Sequence, residues 1–163
     1  MGVINVSSSD QEATVVISDK GTNYGASSSL TLLNLNDISL TNTQGTFRYQ
    51  TLDSQSEAVV TTVATNSVAL NLVIDTDQFF GDGADASPIV NKGLFGTSND
   101  KTEVDFRIYF NGDTDVVGVT QKHIDGTGFI TGLTPAVNPG SPLWVTPVTI
   151  EVNGELTEGS VDV

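Results

Sequence analysis

Apolar and polar residues alternate with a period of two through most of the chain, and no sustained 3.6-residue apolar stripe competes with that pattern. The clearest run is VDFRIYF at 104–110. As a strand it puts Val104, Phe106, Ile108 and Phe110 on one face and Asp105, Arg107 and Tyr109 on the other. SVALNLVID repeats the pattern with Val68, Leu70, Leu72 and Ile74, and TPVTIEVNG with Val148, Ile150 and Val152. Further strands are expected near 13–18, 30–40, 46–52, 115–119 and 128–133. In the 30–40 run the apolar phase slips twice, from Leu30 and Leu32 to Leu33 and Leu35, then to Ile38 and Leu40. Each slip would carry side chains to the opposite face, so a bulge or a break is expected there. NTQG, GDGADASP, FNGD, DGTG and NPGSP read as the turns between strands. One short helix fits, with Ser87 as its cap and Pro88 in its first turn. Ile89, Val90, Leu94 and Phe95 supply its apolar side, and Gly93 and Gly96 hold it to about two turns. Many short strands with one small helix predict an all-β sandwich or barrel-like fold.

DSQSEAVVTTVATN at 53–66 fits this scheme less well. It is rich in Ser and Thr, yet Val59, Val60 and Val63 give it an apolar patch without clean alternation. A long hairpin arm over about 42–66 accounts for it, and such a segment exposed on a single chain is either loosely ordered or waiting for a partner surface.

A chain of 163 residues is expected to form one domain over 1–163, because single cores serve about 100–200 residues. No run reaches the roughly 18 apolar residues of a membrane span, and the first residues lack the basic start and apolar stretch of a signal peptide. The expectation is a soluble, unexported protein. With no cysteine, disulfides, thiolate catalysis and cysteine metal sites are excluded. Twenty acids against six bases leave a net charge of −14. Such a surface disfavours direct binding to nucleic acid or anionic membrane, since each phosphate contact calls for Lys or Arg.

No constellation points to catalysis. His123, the single histidine, lies in KHIDGTG with no nucleophile-elbow sequence to serve, and reads as a loop residue near a strand end. Paired carboxylates can be drawn from almost any two of the acids, which cluster in turns where aspartate bonds locally. NGDTD places Asn111, Asp113 and Asp115 like oxygen ligands of a calcium loop, but Val116 and Lys122 stand where that loop needs Gly and Glu. Asp75 with Asp77, or Asp82 with Asp85, could hold a cation only adventitiously. Neither a cofactor nor a metal is expected.

The second half has a recognisable order. NSVALNLVIDTDQFF is followed by the helix-like ASPIVNKGLF, then EVDFRIYFNGD, then GTGFITGLTPAVNPGSPLWVTPVTIEVNGELTEG. Over roughly 45–157 this resembles the tail tube proteins of long-tailed bacteriophages. There, a strand leads to a modest helix, the next strand ends in a Gly-Asp turn, and the last strand ends in a Gly-Glu-Leu-like signature, here Gly154, Glu155 and Leu156. Two departures are a helix broken by glycine and residues 1–44, which do not align with the family. The resemblance implies a sandwich subunit, not an enzyme, forming hexameric rings that stack into a hollow tube in the virion tail for genome passage. It shares its fold with the type VI secretion tube protein.

The partners so implied are other copies of the chain, the tail tip or baseplate, the tape measure and the tail terminator. DNA would transit without specific binding, and assembly would take place in the host bacterial cytoplasm. Phe47, Tyr49, Val59, Val60 and Trp144 become the expected contacts between subunits. Asp105 and Glu151, opposite their strands' apolar rows, become lumen candidates. Trp144 has a second reading, in which it caps its own core. Pro147 cannot donate to a ladder and is expected at an edge or bulge. Two other classes share this composition: another virion component, such as a capsid decoration or tail-tip sandwich, and a calcium-dependent carbohydrate-binding module.

Overall fold

The alternating runs become neighbours in one antiparallel sheet. The computed structural model describes residues 13–22, 24, 28–32, 34–52, 55–83, 87–110 and 120–162. The strands are β1 (Thr14–Asp19), β2 (Ser29–Leu32), β3 (Leu35–Tyr49) and β4 (Ala58–Val73), followed by the helices α1 (Thr76–Phe80) and α2 (Pro88–Asn99). After them come β5 (Glu103–Tyr109), β6 (Thr120–Leu133), β7 (Ala136–Asn138), β8 (Ser141–Val152) and β9 (Thr157–Asp162). The main sheet runs β2-β1-β5-β6-β8-β4-β3, with β7 added beside β8 and β9 beside β6.

Inward side chains from both ends of this order meet in a single core. Leu30 and Leu32 of β2 belong to the same buried cluster as Val68, Leu70 and Leu72 of β4, with Phe106, Ile130 and Ile150 between them. The sheet is therefore curled onto itself as an open, barrel-like sandwich, and Ile89 and Leu94 of α2 close its interior. The predicted all-β class holds. The slipping phase at 30–40 also holds, for two physical reasons. The chain breaks between β2 and β3 with Asn34 at φ 59°, and a register shift between Leu35 and Asp37 then returns Leu35, Ile38 and Leu40 to the core side.

Two expected turns are strand interior instead. DGTG lies in the middle of β6, where Gly126 and Gly128 face inward. A Cβ at Gly126 would sit 2.5 Å from the Phe106 ring, and one at Gly128 2.3 Å from the Glu151 carbonyl oxygen, so these glycines answer close packing rather than a reversal of the chain. NTQG lies inside β3, where a bulge sets three β4 steps against two of β3 between Gln44 and Thr46. His123 likewise sits within β6, in register with Tyr109 and Gly159, and not in a loop. The predicted strand at 115–119 and the NGDTD turn lie outside the described residues, as do Asp85 and residues 1–12.

There are two helices rather than one. Asp75 caps α1, accepting hydrogen bonds from the Asp77 and Gln78 amides at 3.0 and 3.2 Å. In α2, Pro88 takes its expected place, but Ser87 supplies no side-chain cap. Its hydroxyl instead donates to Asp19 Oδ2 at 2.7 Å, and the same carboxylate oxygen accepts from the Ile89 amide. The end of β1 thus caps the helix, which a local reading of Ser-Pro could not reveal. Gly93 kinks α2 at φ 64°, ψ −170°, and lies so close to α1 that a Cβ would come within 2.5 Å of the Gly81 nitrogen. At the kink the helical phase changes, so Leu94 enters the core while Phe95 is exposed.

The Asn-Gly-Glu-Leu segment joins β8 to β9 without reversing the chain. Residues 128–133 of β6 pair with 148–152 of β8, and 120–125 pair with 157–162 of β9. The two late strands therefore lie end to end along one side of β6. Gly154 at φ 110° turns the connection, and the Asn153 amide holds it by donating to the Thr127 carbonyl at 2.7 Å. Pro147 occupies a comparable gap. On one side β8 passes from pairing with β7 up to Val145 to pairing with β6 from Val148, so the missing N–H falls between two ladders.

Candidate assembly surfaces

Three surfaces arise where this topology leaves groups without a neighbour. The first is the β3–β4 hairpin, in which β4 pairs with β8 only from Ser67 onward. The outer part, from the Asn42–Asn66 pair to the Tyr49–Ala58 pair, is a two-stranded ribbon with no third strand among the described residues. A ribbon of this kind buries too little to be stable alone in water. Phe47 pairs across the ribbon with Val60, and its ring stacks on that of Tyr49 at 6.2 Å. Strand parity puts these three on one face, with Arg48 and Val59 on the other. All of them are exposed, Phe47 at 59% and Val63 at 88%.

The second surface lies at the opposite end of β4. The turn from Val73 through Ile74 into α1, together with Phe95 and the start of β8, walls an apolar groove of about 650 Å³. Ile74 donates its amide to the Trp144 carbonyl at 2.8 Å and so ties α1 to β8. Phe79 packs edge-on against Phe80 and tilted against Phe95, at 4.9 and 5.8 Å. Trp144 and Phe80 remain 52% and 60% exposed. Trp144 therefore does not cap its own core; it forms a wall of the groove. The sequence reading missed Phe80, Leu143, Pro135 and Pro142 as members of this surface. Their signal was present as an adjacent Phe-Phe pair and prolines on either side of β7, but only the fold brings those segments together.

The third surface is the outward face of the sheet. Ser67 and Ala69 of β4 lie opposite Glu151 and Thr149 of β8, giving a hydroxyl-rich strip on which Glu151 is exposed. Asp105 shares the outward face but is engaged, accepting hydrogen bonds from the Gly21 amide and the Thr127 hydroxyl, each at 2.7 Å. Beside it, Arg107 forks onto Asp125 through Nε and Nη2, at 2.7 and 2.8 Å. The guanidinium also stacks over the Tyr24 ring at 4.5 Å. The Asp125 hydrogen bonds hold the Arg107 pKa above its ordinary value, and burial chiefly pushes the Tyr24 phenol up. His123 is 4% exposed beneath this cluster, with Nε2 3.6 Å from Asp125 Oδ2.

The cluster pins Gly21, Tyr24 and β6 to β5, which is a structural role. Asp125→Ala would leave a half-buried guanidinium unpaired, and is expected to cost about 1.5–3 kcal/mol in chemical denaturation. A change under about 0.5 kcal/mol would show that the fork is only a surface pair. Among the described residues, no group of three His, Cys, Asp or Glu side chains is placed to hold a metal ion. Asp75 spends its carboxylate on the α1 cap.

No protein-family model matches the chain, and no curated protein matches it in sequence. Solved structures do match its fold. The SPP1 tail tube aligns with TM-score 0.64 at 6% identity, covering 94% of this chain and 78% of that one. The tail of an empty gene transfer agent particle, refined with C6 symmetry, aligns at 0.60 and 13%, covering 89% and 95%. The sheath/tube terminator of an extracellular contractile injection system, PVC, aligns at 0.55 and 13%, covering 90% and 92%. These alignments take in about nine-tenths of the chain, at identities where only architecture is compared. The curled sheet, the paired short helices and the projecting hairpin together make this the fold of the tail tube proteins.

Proposed function

We propose that the chain is a structural subunit of a tail tube, closing into hexameric rings that stack into a hollow conduit for a genome. The observation that carries this reading is the projecting arm: a marginal ribbon with an apolar face, on a fold whose solved relatives assemble into tubes. Strands β2 and β3 each pair on one side only, among the described residues, and strand edges left open in a monomer invite pairing that a closed ring would satisfy. Its partners are then other copies of itself, with the tail tip or baseplate, the tape measure and the terminator at the ends and in the channel. It works in the virion tail after assembly in the host cytoplasm, and its role is structural rather than enzymatic.

Glu151 is the better lumen candidate of the two acids, because Asp105 is committed to the Gly21 amide and Thr127. A lumen carrying acid and hydroxyl groups lets duplex DNA slide, whereas lysines would grip its phosphates. Negative-stain microscopy of concentrated protein tests the proposal directly. Six-fold rings or uniform hollow tubes are expected, and a persistent monomer at every concentration would refute it. Six copies would carry roughly −84 formal charges, so salt that screens their repulsion should hasten assembly. Light scattering that rises more slowly at high ionic strength would contradict the charge argument.

A further inference from the structure

Among the described residues, the arm and the groove are the two large apolar surfaces left uncovered, and they lie at opposite ends of the same strand. Val60 and Val73 are thirteen β4 positions apart, about 43 Å along an extended chain, and the arm points away from the groove. A chain cannot fill its own groove with its own arm. We propose that the groove walled by Phe80, Phe95 and Trp144 receives the Phe47–Tyr49–Val60 face of the arm of a second copy. This inference rests on the tube reading and assigns the acceptor for its axial contact.

Charge argues for this occupant. In a chain of −14, most surface repels an identical copy, yet none of the residues lining the groove is an Asp, Glu, Lys, Arg or His, and neither are Phe47, Tyr49 and Val60. These are the places where two copies approach without like charges meeting. Size agrees as well. Two aromatic side chains bring about 150–250 Å² each to be covered, a load suited to a groove of about 650 Å³.

The geometry also sets polarity. A donor at one end and an acceptor at the other form a heterologous contact, and set along the tube axis it stays open, so each added layer presents a fresh groove or a fresh arm. Growth along the axis is then head to tail.

The cysteine-free chain makes the test clean. Val60→Cys, in the arm, and Thr76→Cys, on the groove rim, are both exposed positions, and retained folding can be confirmed by circular dichroism. The two variants are mixed under assembly conditions and treated with a short bis-maleimide. Cross-linked dimers in the mixture, with neither variant alone giving them, are expected. Dimers from Val60→Cys alone would mean that arms pair with each other, and would overturn the proposal. Tubes that form without any arm-to-rim cross-link would overturn it too, while leaving the tube reading intact. If wild-type protein forms neither rings nor tubes, the tube reading itself fails. In that case an arm-to-rim cross-link in concentrated solution would still support the contact, and its absence would remove both. As an independent check, Phe80→Ser with Trp144→Ser should leave the monomer folded and cut tube yield at least tenfold. Unchanged yield would count against the groove.

Discussion

Phe106→Ala is expected to destabilise the fold by about 3–5 kcal/mol, the usual cost of removing a fully buried phenylalanine. Phe106 is 0% exposed, and its ring lies directly beneath Gly126 of the neighbouring strand. It sits centrally in a core that includes Ile17, Ile108 and Ile150. Backbone on both sides belongs to long antiparallel ladders, which cannot collapse inward to fill the space. The loss would be a large fraction of the roughly 5–15 kcal/mol that domains typically have. Urea denaturation reads it as a fall in midpoint at unchanged slope.

The same contact predicts a size exchange. Gly126→Ala alone should be destabilising, because its Cβ would meet the ring at 2.5 Å. Combined with Phe106→Leu, its effect should shrink, since the smaller side chain vacates the space the methyl needs. Strict additivity in that double-mutant cycle would show that Gly126 is required for some other reason.

Phe47→Ser with Val60→Ser should have the opposite profile. Both residues are exposed in the single chain, so thermal stability should move by no more than about 0.5 kcal/mol per site. Assembly should suffer heavily. Each large apolar side chain buried in a contact contributes about 1.5–3 kcal/mol, so losing two raises the concentration needed for tubes by about a hundredfold or more. Sedimentation of assembled material against soluble protein measures this. Tubes forming at the wild-type threshold would show that the arm's apolar face is not an interface. Loss of folding in the monomer would show that the face is covered within one chain.

The contrast between these variants reflects how the sequence encodes the molecule. Strands such as VDFRIYF and SVALNLVID were legible because each has one buried and one exposed face, and burial imposes a period of two whatever the partner strand is. The broken phase at 30–40 was legible for the same reason, since a slip in parity must be absorbed somewhere in the ladder. The arm was legible as apolar residues that fit no such pattern. Tail-tube resemblance in the order of motifs ran in the same direction, toward the fold that the solved relatives share at very low identity.

Gly126 and Gly128 misled because glycine looks the same to a local reading whether it bends a chain or admits a neighbour's ring. Only the approach of Phe106 and of the Glu151 carbonyl distinguishes the two. Asp19, sixty-nine positions before Pro88, caps α2 in place of Ser87, and no window along the chain contains both. The groove is the sharpest case. Phe80, Phe95 and Trp144 come from two helices and a strand; Trp144 was legible as a contact candidate, but nothing along the chain joins it to Phe80 and Phe95.

What the sequence by itself determined was the alternation, the acidity, the absence of cysteine and the existence of an unpatterned apolar arm, because these depend on residue order and solvent alone. What only the tertiary structure decided was where the free surfaces fall: an arm at one end of β4 and an apolar groove at the other. Their separation follows from strand direction and pairing, which no single segment carries.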